Sequence, residues 1–194
     1  CVHVAQSSNA AAGSAGEFMM DGGEITNCWC DYAYLSYVYG GGAVFVAGKI
    51  SNQLAAKFTM NGGTISGCTA ASHGGGIKSQ GIVEMHGGTI KNCKCVSGSQ
   101  RFGGGVHVYQ EMASFTMTGG TISNCAASSG GGVMVWGDND TGKPIFIMNG
   151  DPATTKIIGC QATGNGNGGA VYVQQSTFNF KNGTLSDNYA VRYG

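Results

Sequence analysis

The feature that most constrains this chain is a short phrase that the sequence repeats. Residues 115–125 read Phe-Thr-Met-Thr-Gly-Gly-Thr-Ile-Ser-Asn-Cys, and residues 58–68 read Phe-Thr-Met-Asn-Gly-Gly-Thr-Ile-Ser-Gly-Cys. Related copies begin at residues 18, 83, 146 and 178. Self-similarity at intervals of roughly 20–50 residues is typical of solenoids, propellers and other repeat arrays. The fold therefore has to be argued from the repeat before any single residue is interpreted.

Each repeat predicts three short strands separated by bends. The Phe-x-Met segment alternates with period two, as a strand with one buried face does. Thr-Ile-Ser predicts a second strand with Ile inward, and a glycine triplet followed by Val-x-Val, as in residues 103–108, predicts a third. The chain has 36 glycines and 2 prolines among 194 residues. Long helices are not expected, because each glycine in a helix interior costs about 1 kcal/mol.

The three strands predict an all-β fold, a right-handed three-sided parallel β-helix of about six coils, as a single domain over residues 1–194. Helix-bearing repeats do not fit the pattern, and a propeller blade needs four strands in about 40–45 residues. Stacked coils place equivalent positions about 4.8 Å apart. Three inward ladders are expected: Phe18, Phe58, Phe115, Phe146 and Phe178; Ile25, Ile65, Ile90, Ile122 and Leu185; and Val44, Ile77, Val106, Val133 and Val171.

Charge and hydropathy argue against several classes of function. The net charge is zero and there is no basic run, so the electrostatic signature of nucleic-acid binding is missing. No apolar stretch approaches the roughly 20 residues of a membrane helix, so no membrane span is expected. The C-x-C pairs Cys28-Trp-Cys30 and Cys93-Lys-Cys95 lack the spacing and histidine partners of zinc sites. Neither a metal nor a cofactor is expected.

Five of the eight cysteines fall at the same bend of successive repeats. One interpretation is a buried ladder of small, soft side chains that fills a corner of the coil. The other is disulfide bonding between neighbouring coils, because the rung spacing lies within the Cα separation of about 4.4–6.8 Å that disulfides allow. Both interpretations stay open for Cys28, Cys68, Cys93, Cys125 and Cys160.

A second group of candidates lies on the outward side of the third strand. Exposed aromatic side chains in such a column can stack on sugar rings or pack against another solenoid. Alternatively, a loop from the long coils covers them. Insertions in residues 29–39 and 137–144 lengthen two coils, and solenoid insertions often mark the binding side. The candidates for ligand binding or lateral contact are Phe45, His107, Tyr109, Trp136 and Tyr172.

The Gly-Gly-Thr-Ile and Gly-Gly-Gly-Val-x-Val elements resemble the right-handed parallel β-helix repeats of bacterial cell-surface proteins. The polymorphic outer-membrane-protein repeats are the nearest analogy. The resemblance implies an extracellular or cell-surface location, a structural or adhesive role, and glycans or a host surface as partners. The acidic residues are scattered and no catalytic site can be identified, so an enzyme is not expected. The alternative is a polysaccharide-binding or polysaccharide-cleaving β-helix protein.

The two ends of the chain carry parts of the same repeat. Val2-His3-Val4 matches Val106-His107-Val108, and residues 188–194 match the loop that precedes a third strand. An open solenoid end presents unpaired backbone groups to which another strand can be added. We therefore expect a segment of a longer solenoid or a head-to-tail fibre, with self-association through solenoid ends or neighbouring solenoids.

Overall fold

The computed structural model describes residues 1–5, 13–31, 40–49, 54–96, 101–138 and 143–194. These residues form 24 β-strands and no helix, arranged in four all-parallel sheets of six strands each. Each coil contributes one strand to every sheet, and each strand pairs with its equivalents in the adjacent coils. The structure therefore confirms the predicted parallel β-helix of about six coils. Within the described ranges, no helix could cross a membrane.

Sheet A is formed by the valine-rich segments that follow the glycine runs. Alternate side chains enter the core, so that Val44 and Val46 are buried and Phe45 between them faces outward. The predicted valine ladder is confirmed by the register, which pairs Val106 with Ile77 and Val133. The strands are β1 (Val2–Val4), β5 (Val44–Val46), β9 (Ile77–Ser79), β13 (Val106–Tyr109), β17 (Val133–Trp136) and β21 (Val171–Gln174).

Sheet B is formed by the Phe-x-Met segments. Its inward phenylalanines stack along the coil axis, and the Phe115–Phe146 and Phe146–Phe178 ring centroids are each 4.7 Å apart. The predicted phenylalanine ladder is therefore confirmed, with Val83 taking one rung between Phe58 and Phe115. The strands are β2 (Glu17–Met20), β6 (Lys57–Met60), β10 (Ile82–Met85), β14 (Ser114–Met117), β18 (Ile145–Asn149) and β22 (Thr177–Asn182).

Sheet C is formed by the Thr-Ile-Ser segments. Its central residues make the predicted isoleucine ladder, in which Ile90 pairs with Ile65 and Ile122. The threonine and serine side chains on either side of each isoleucine point outward. The strands are β3 (Glu24–Thr26), β7 (Thr64–Ser66), β11 (Thr89–Lys91), β15 (Gly120–Ser123), β19 (Thr155–Ile158) and β23 (Thr184–Ser186).

Sheet D is a feature that the sequence analysis did not predict. It follows the cysteine bend, where only a variable loop was expected. Each of its strands has two residues, which is too short for period-two alternation to be recognised in a sequence. The strands are β4 (Trp29–Cys30), β8 (Thr69–Ala70), β12 (Lys94–Cys95), β16 (Ala126–Ala127), β20 (Gln161–Ala162) and β24 (Tyr189–Ala190).

The glycine triplets before sheet A allow neighbouring coils to approach closely. A Cβ atom on Gly75 would lie 2.4 Å from the carbonyl oxygen of Gly104, and one on Gly104 would lie 2.4 Å from that of Gly131. Glycine is therefore required here by the space between coils. This explains why the triplet recurs where other bends vary.

The variable coil lengths are concentrated beside sheet A. Thirteen residues separate β4 from β5 but six separate β8 from β9, and twelve separate β1 from β2 but two separate β9 from β10. Parts of both predicted insertions, residues 32–39 and 139–142, lie outside the described residues. The fold therefore directs attention to the outer face of sheet A.

Candidate functional site

The outward side chains of sheet A form two adjacent columns. The first runs through His3, Phe45, Lys78, His107, Met134 and Tyr172. In the second, Tyr109 pairs with Trp136. The structure therefore brings all five predicted binding residues, Phe45, His107, Tyr109, Trp136 and Tyr172, to one face.

Most of this face is covered in the middle coils. Lys78, His107 and Met134 are fully buried, and Tyr109 is 5% exposed. Phe45, Trp136 and Tyr172 are only partly buried. The expectation of exposed aromatic side chains is therefore wrong for His107 and Tyr109, and the covered alternative describes them. Whether any of the five binds a ligand stays a prediction.

A basic–aromatic cluster fills the centre of this face; it consists of His73, Lys78, Phe102, His107, Tyr109 and Trp136. The Lys78 Nζ lies 3.3 Å from the His107 Nδ1. The Lys78 Nζ also lies 5.1 Å from the centroid of the Tyr109 ring, within the range of a cation–π contact. The His73 and His107 rings are stacked with centroids 5.0 Å apart. His107 thus contacts both of the other basic side chains, Lys78 and His73.

The aromatic members close the cluster on its outer side. Phe102 meets Trp136 edge-to-face at 5.3 Å, and Tyr109 lies 5.3 Å from Trp136. The Tyr109 hydroxyl donates a hydrogen bond to the Asp138 Oδ2 at 2.7 Å. Asp138 is partly exposed and stands at the start of the 137–144 insertion. The hydroxyl therefore joins the buried cluster to a loop residue at the surface.

Burial dominates the electrostatics of the cluster. It lowers the pKa of Lys78 to about 7 and the pKa of His73 to about 3. It also places the pKa of His107 well below its ordinary 6.5, and the positive charge of Lys78 lowers both histidine values further. Among the described residues, no carboxylate forms an ion pair with Lys78. The cluster thus consists of neutral imidazoles beside an amine that titrates near neutral pH.

Sequence reasoning missed the contribution of His73 and Phe102. Each of the two missed residues directly precedes a glycine triplet, and the two are paired across adjacent coils. A histidine and a phenylalanine at the same bend of consecutive repeats were the available signal. Their side chains fold over the outer face of sheet A because the bend turns the chain onto that face.

The cysteine ladder lies inside the solenoid, at the bend between sheets C and D. Cys68, Cys93, Cys125 and Cys160 are fully buried, and Cys28 in the first coil is partly exposed. The Cys125 thiol shows the common pattern: it lies 3.3 Å from the Ser123 carbonyl oxygen and 3.9 Å from that of Ile90 in the preceding coil.

All eight cysteines are free thiols in the structure. Hydrogen bonds from neighbouring thiols, together with burial, raise the pKa values of Cys68 and Cys125. Cys68 and Cys125 are therefore held as protonated thiols. The hydrogen bonds along the ladder act in the opposite direction on their neighbours: they lower the pKa of Cys93 to about 4 and also lower the pKa of Cys160. The geometry is that of a thiol ladder, while the oxidation state of the cysteines in solution stays a prediction.

The last coil replaces the cysteine by Asn188. The Asn188 Oδ1 accepts a hydrogen bond from the Cys160 backbone N–H at 2.9 Å, and its Nδ2 donates one to the Ile157 carbonyl at 2.9 Å. In the other coils a thiol approaches the corresponding isoleucine carbonyl at 3.6–4.0 Å. The amide therefore makes stronger bonds at the same rung, and the position tolerates either chemistry.

Two further results bear on function. Within the described ranges, no group of three or more histidine, cysteine, aspartate or glutamate side chains is placed to hold a metal ion. Comparison of the chain with protein-family models, with curated proteins and with solved structures finds no match. The functional argument therefore depends on the geometry of the solenoid itself.

Proposed function

We propose that this chain is a structural or adhesive module of an extracellular or surface-displayed solenoid, and that its copies assemble end to end. The resemblance of its repeats to those of bacterial surface proteins supports the location. The observation that carries the proposal is the difference in burial between the middle coils and the two terminal coils.

Ladder side chains that are buried in the middle of the solenoid are uncovered at its ends. Phe58, Phe115 and Phe146 are fully buried, whereas Phe18 and Phe178 are only partly buried. In the isoleucine ladder, Ile122 has no exposed surface but Leu185 in the last coil is 37% exposed. Apolar surface of this kind gains about 25 cal/mol for each Å² that is removed from water. Both ends would therefore gain free energy from a further coil.

The two uncovered edges match one another in sequence and register. Val2, Phe18 and Ile25 form the inward positions of the first coil, and Val171, Phe178 and Leu185 form those of the last. Placing the last coil of one copy on the first coil of another would extend the same Val, Phe and Ile/Leu ladders. Among the described residues, the strands at both edges pair on one side only, which favours strand addition.

The test is the size of the protein as a function of concentration, measured by analytical ultracentrifugation and electron microscopy. We expect the mean mass to rise with concentration and filaments to show an axial repeat of about 29 Å, six coils at about 4.8 Å. Leu185→Lys places a charge at the last-coil edge and should reduce association at least tenfold. Thr184→Lys, an outward change on the same strand, is the matched control and should assemble like the parent.

A parent protein that stays monomeric at every concentration would overturn end-to-end assembly. Equal effects of Leu185→Lys and Thr184→Lys would also contradict it, because the two side chains differ in whether they belong to the inward ladder.

Polysaccharide binding is the second candidate function, and one observation favours it. Trp29, His3 and Phe45 line a cavity of about 680 Å³ at the first coil. Trp29 is 57% exposed, and the His3 and Phe45 rings are 5.0 Å apart. Flat, accessible rings of this kind suit stacking on sugars. The residues that would cleave a polysaccharide are not apparent in this group.

A further inference from the structure

The basic–aromatic cluster buries basic side chains on the outer face of sheet A, where a repeat usually places solvent-exposed residues. Lys78 and His107 have no exposed surface, and His73 is 2% exposed. The His107 Nε2 has no hydrogen-bond partner among the described residues. Burying a polar group without a partner costs free energy, and burying a charge costs much more. Such a cluster is stable only while its histidines remain uncharged.

We propose that the outer face of sheet A is an acid-operated cover: protonation of His73 and His107 separates the cluster and presents the rings of Phe102, Tyr109 and Trp136. The cover consists of the side chains of His73 and Phe102, which lie in the bends before β9 and β13. The inward ladders of the coil do not take part. The inference is independent of end-to-end assembly, because no terminal coil contributes to it.

The groups that face the histidines determine the direction of the effect. Lys78 contacts His107 and opposes its protonation. Burial raises the pKa of Cys95 on β12 to about 12, so this thiol supplies no negative charge. The Asp138 carboxylate accepts a hydrogen bond from the Tyr109 hydroxyl. Among the described groups, burial and the charge of Lys78 oppose protonation of both histidines.

Proton linkage converts this arrangement into a switch. In the closed state the pKa of His73 is about 3 and that of His107 is well below 6.5. In an opened state both return towards 6.5, so opening takes up protons as the pH falls below that value. Each histidine can raise the opening equilibrium constant by up to about tenfold per pH unit. Lys78 takes up its proton on opening between about pH 10.5 and 7, so its contribution is complete before the histidines respond.

Opening would change what this face offers to a partner. The three rings form one group, with Phe102 and Tyr109 each within 5.3 Å of Trp136. In the closed state they pack mainly on one another and on the basic side chains. Once separated, they present an accessible aromatic surface on the outer face of sheet A.

Trp136 fluorescence is the direct test. The chain has two tryptophans, so Trp29→Phe leaves Trp136 as the reporter. Between pH 7.5 and 4.0 we expect its emission to shift to longer wavelength while far-UV circular dichroism keeps the β-sheet signal. His73→Gln and His107→Gln together should reduce the change in opening equilibrium at least tenfold. His86→Gln is the matched control, because His86 is exposed and contacts Glu84 and Thr118 on another side of the solenoid.

Two results would overturn the proposal: an unchanged Trp136 emission over this range, or the same shift in the double variant as in the parent. If the variants do not fold, hydrogen exchange on the unaltered protein decides. Amides of the bends at 73–76 and 102–105, which carry His73 and Phe102 and are hydrogen-bonded between coils, should gain exchange at low pH, after correction for intrinsic rates. Those of sheet C at 89–91 and 120–123 should not. Equal acceleration in the bends and in sheet C would indicate general acid unfolding and would refute the cover.

Discussion

The outer faces of sheets A and C are built from strands with the same alternation, but their outward side chains differ in burial. On sheet C the outward Thr64, Thr89 and Thr121 form a half-buried hydroxyl column in direct contact with solvent. On sheet A the equivalent column includes Lys78 and His107, which have no exposed surface. In the middle coils, both faces rest on fully buried inward ladders. The alternation of a strand therefore determines which side chains point outward, but not which of those remain in contact with water.

The difference follows from where coil length varies. The connections on either side of sheet C have at most five residues, and its outward Thr64, Thr89 and Thr121 stay half-buried. The bends before and after sheet A carry the length variation, and His73 and Phe102 from those bends pack onto the face. The repeat thus forms the scaffold, while residues in the bends of variable length bury basic side chains and shift their pKa values.

The largest expected effect comes from the inward ladder that both faces share. Ile122→Asp should destabilise the protein by about 4 kcal/mol or prevent folding, because an unpaired charge would be buried in the core. Thr121→Asp is the matched control on the outward side of the same strand and should cost about 1 kcal/mol or less. Urea unfolding followed by circular dichroism measures both. Equal costs for the two variants would contradict the register.

The inward ladders were predictable because each is fixed by a local period that recurs in every repeat. Phe115, Ile122 and Val106 all lie where alternation and stacking placed them. Sheet D was not predictable, because two residues cannot display a period. The burial of His107 and Tyr109 was not predictable either, because it depends on contacts with bends distant in sequence. Sequence placed the candidate residues on one face, and only the structure brings Lys78, His73 and His107 into contact.

A smaller effect of opposite sign is expected from removing the buried amine. At pH 7, Lys78→Met should stabilise the protein by about 2 kcal/mol, because methionine fills similar space without the cost of burying a cation. The His107 Nδ1 loses its partner, which limits the gain. Lys156→Met, a half-buried outward lysine on sheet C, should change stability by less than about 0.5 kcal/mol. Urea unfolding at pH 7 compares the two.

The pH dependence identifies the cause of that gain. The pKa of Lys78 is lowered from 10.5 to about 7 by folding. The unfolded chain therefore binds the proton more tightly, and the penalty builds up as the pH falls from about 10.5 to 7. The advantage of Lys78→Met should be complete at pH 7 and should shrink towards pH 10.5. An advantage that does not change with pH would mean that packing, and not charge burial, distinguishes the two side chains.

The smallest effect tests the hydrogen bond between Tyr109 on the covered face and Asp138 in the insertion. Tyr109→Phe keeps the ring beside Lys78 but removes the hydroxyl that donates to Asp138, and it should cost about 1 kcal/mol. Thr121→Val removes an outward hydroxyl from sheet C and should lie within about 0.5 kcal/mol of the parent. A double-mutant cycle with Asp138→Ala then separates the bond from its surroundings, since a real interaction gives a coupling energy close to the single cost. A coupling near zero would contradict this prediction, because it would show that the Tyr109–Asp138 hydrogen bond does not help to hold the outer face of sheet A closed.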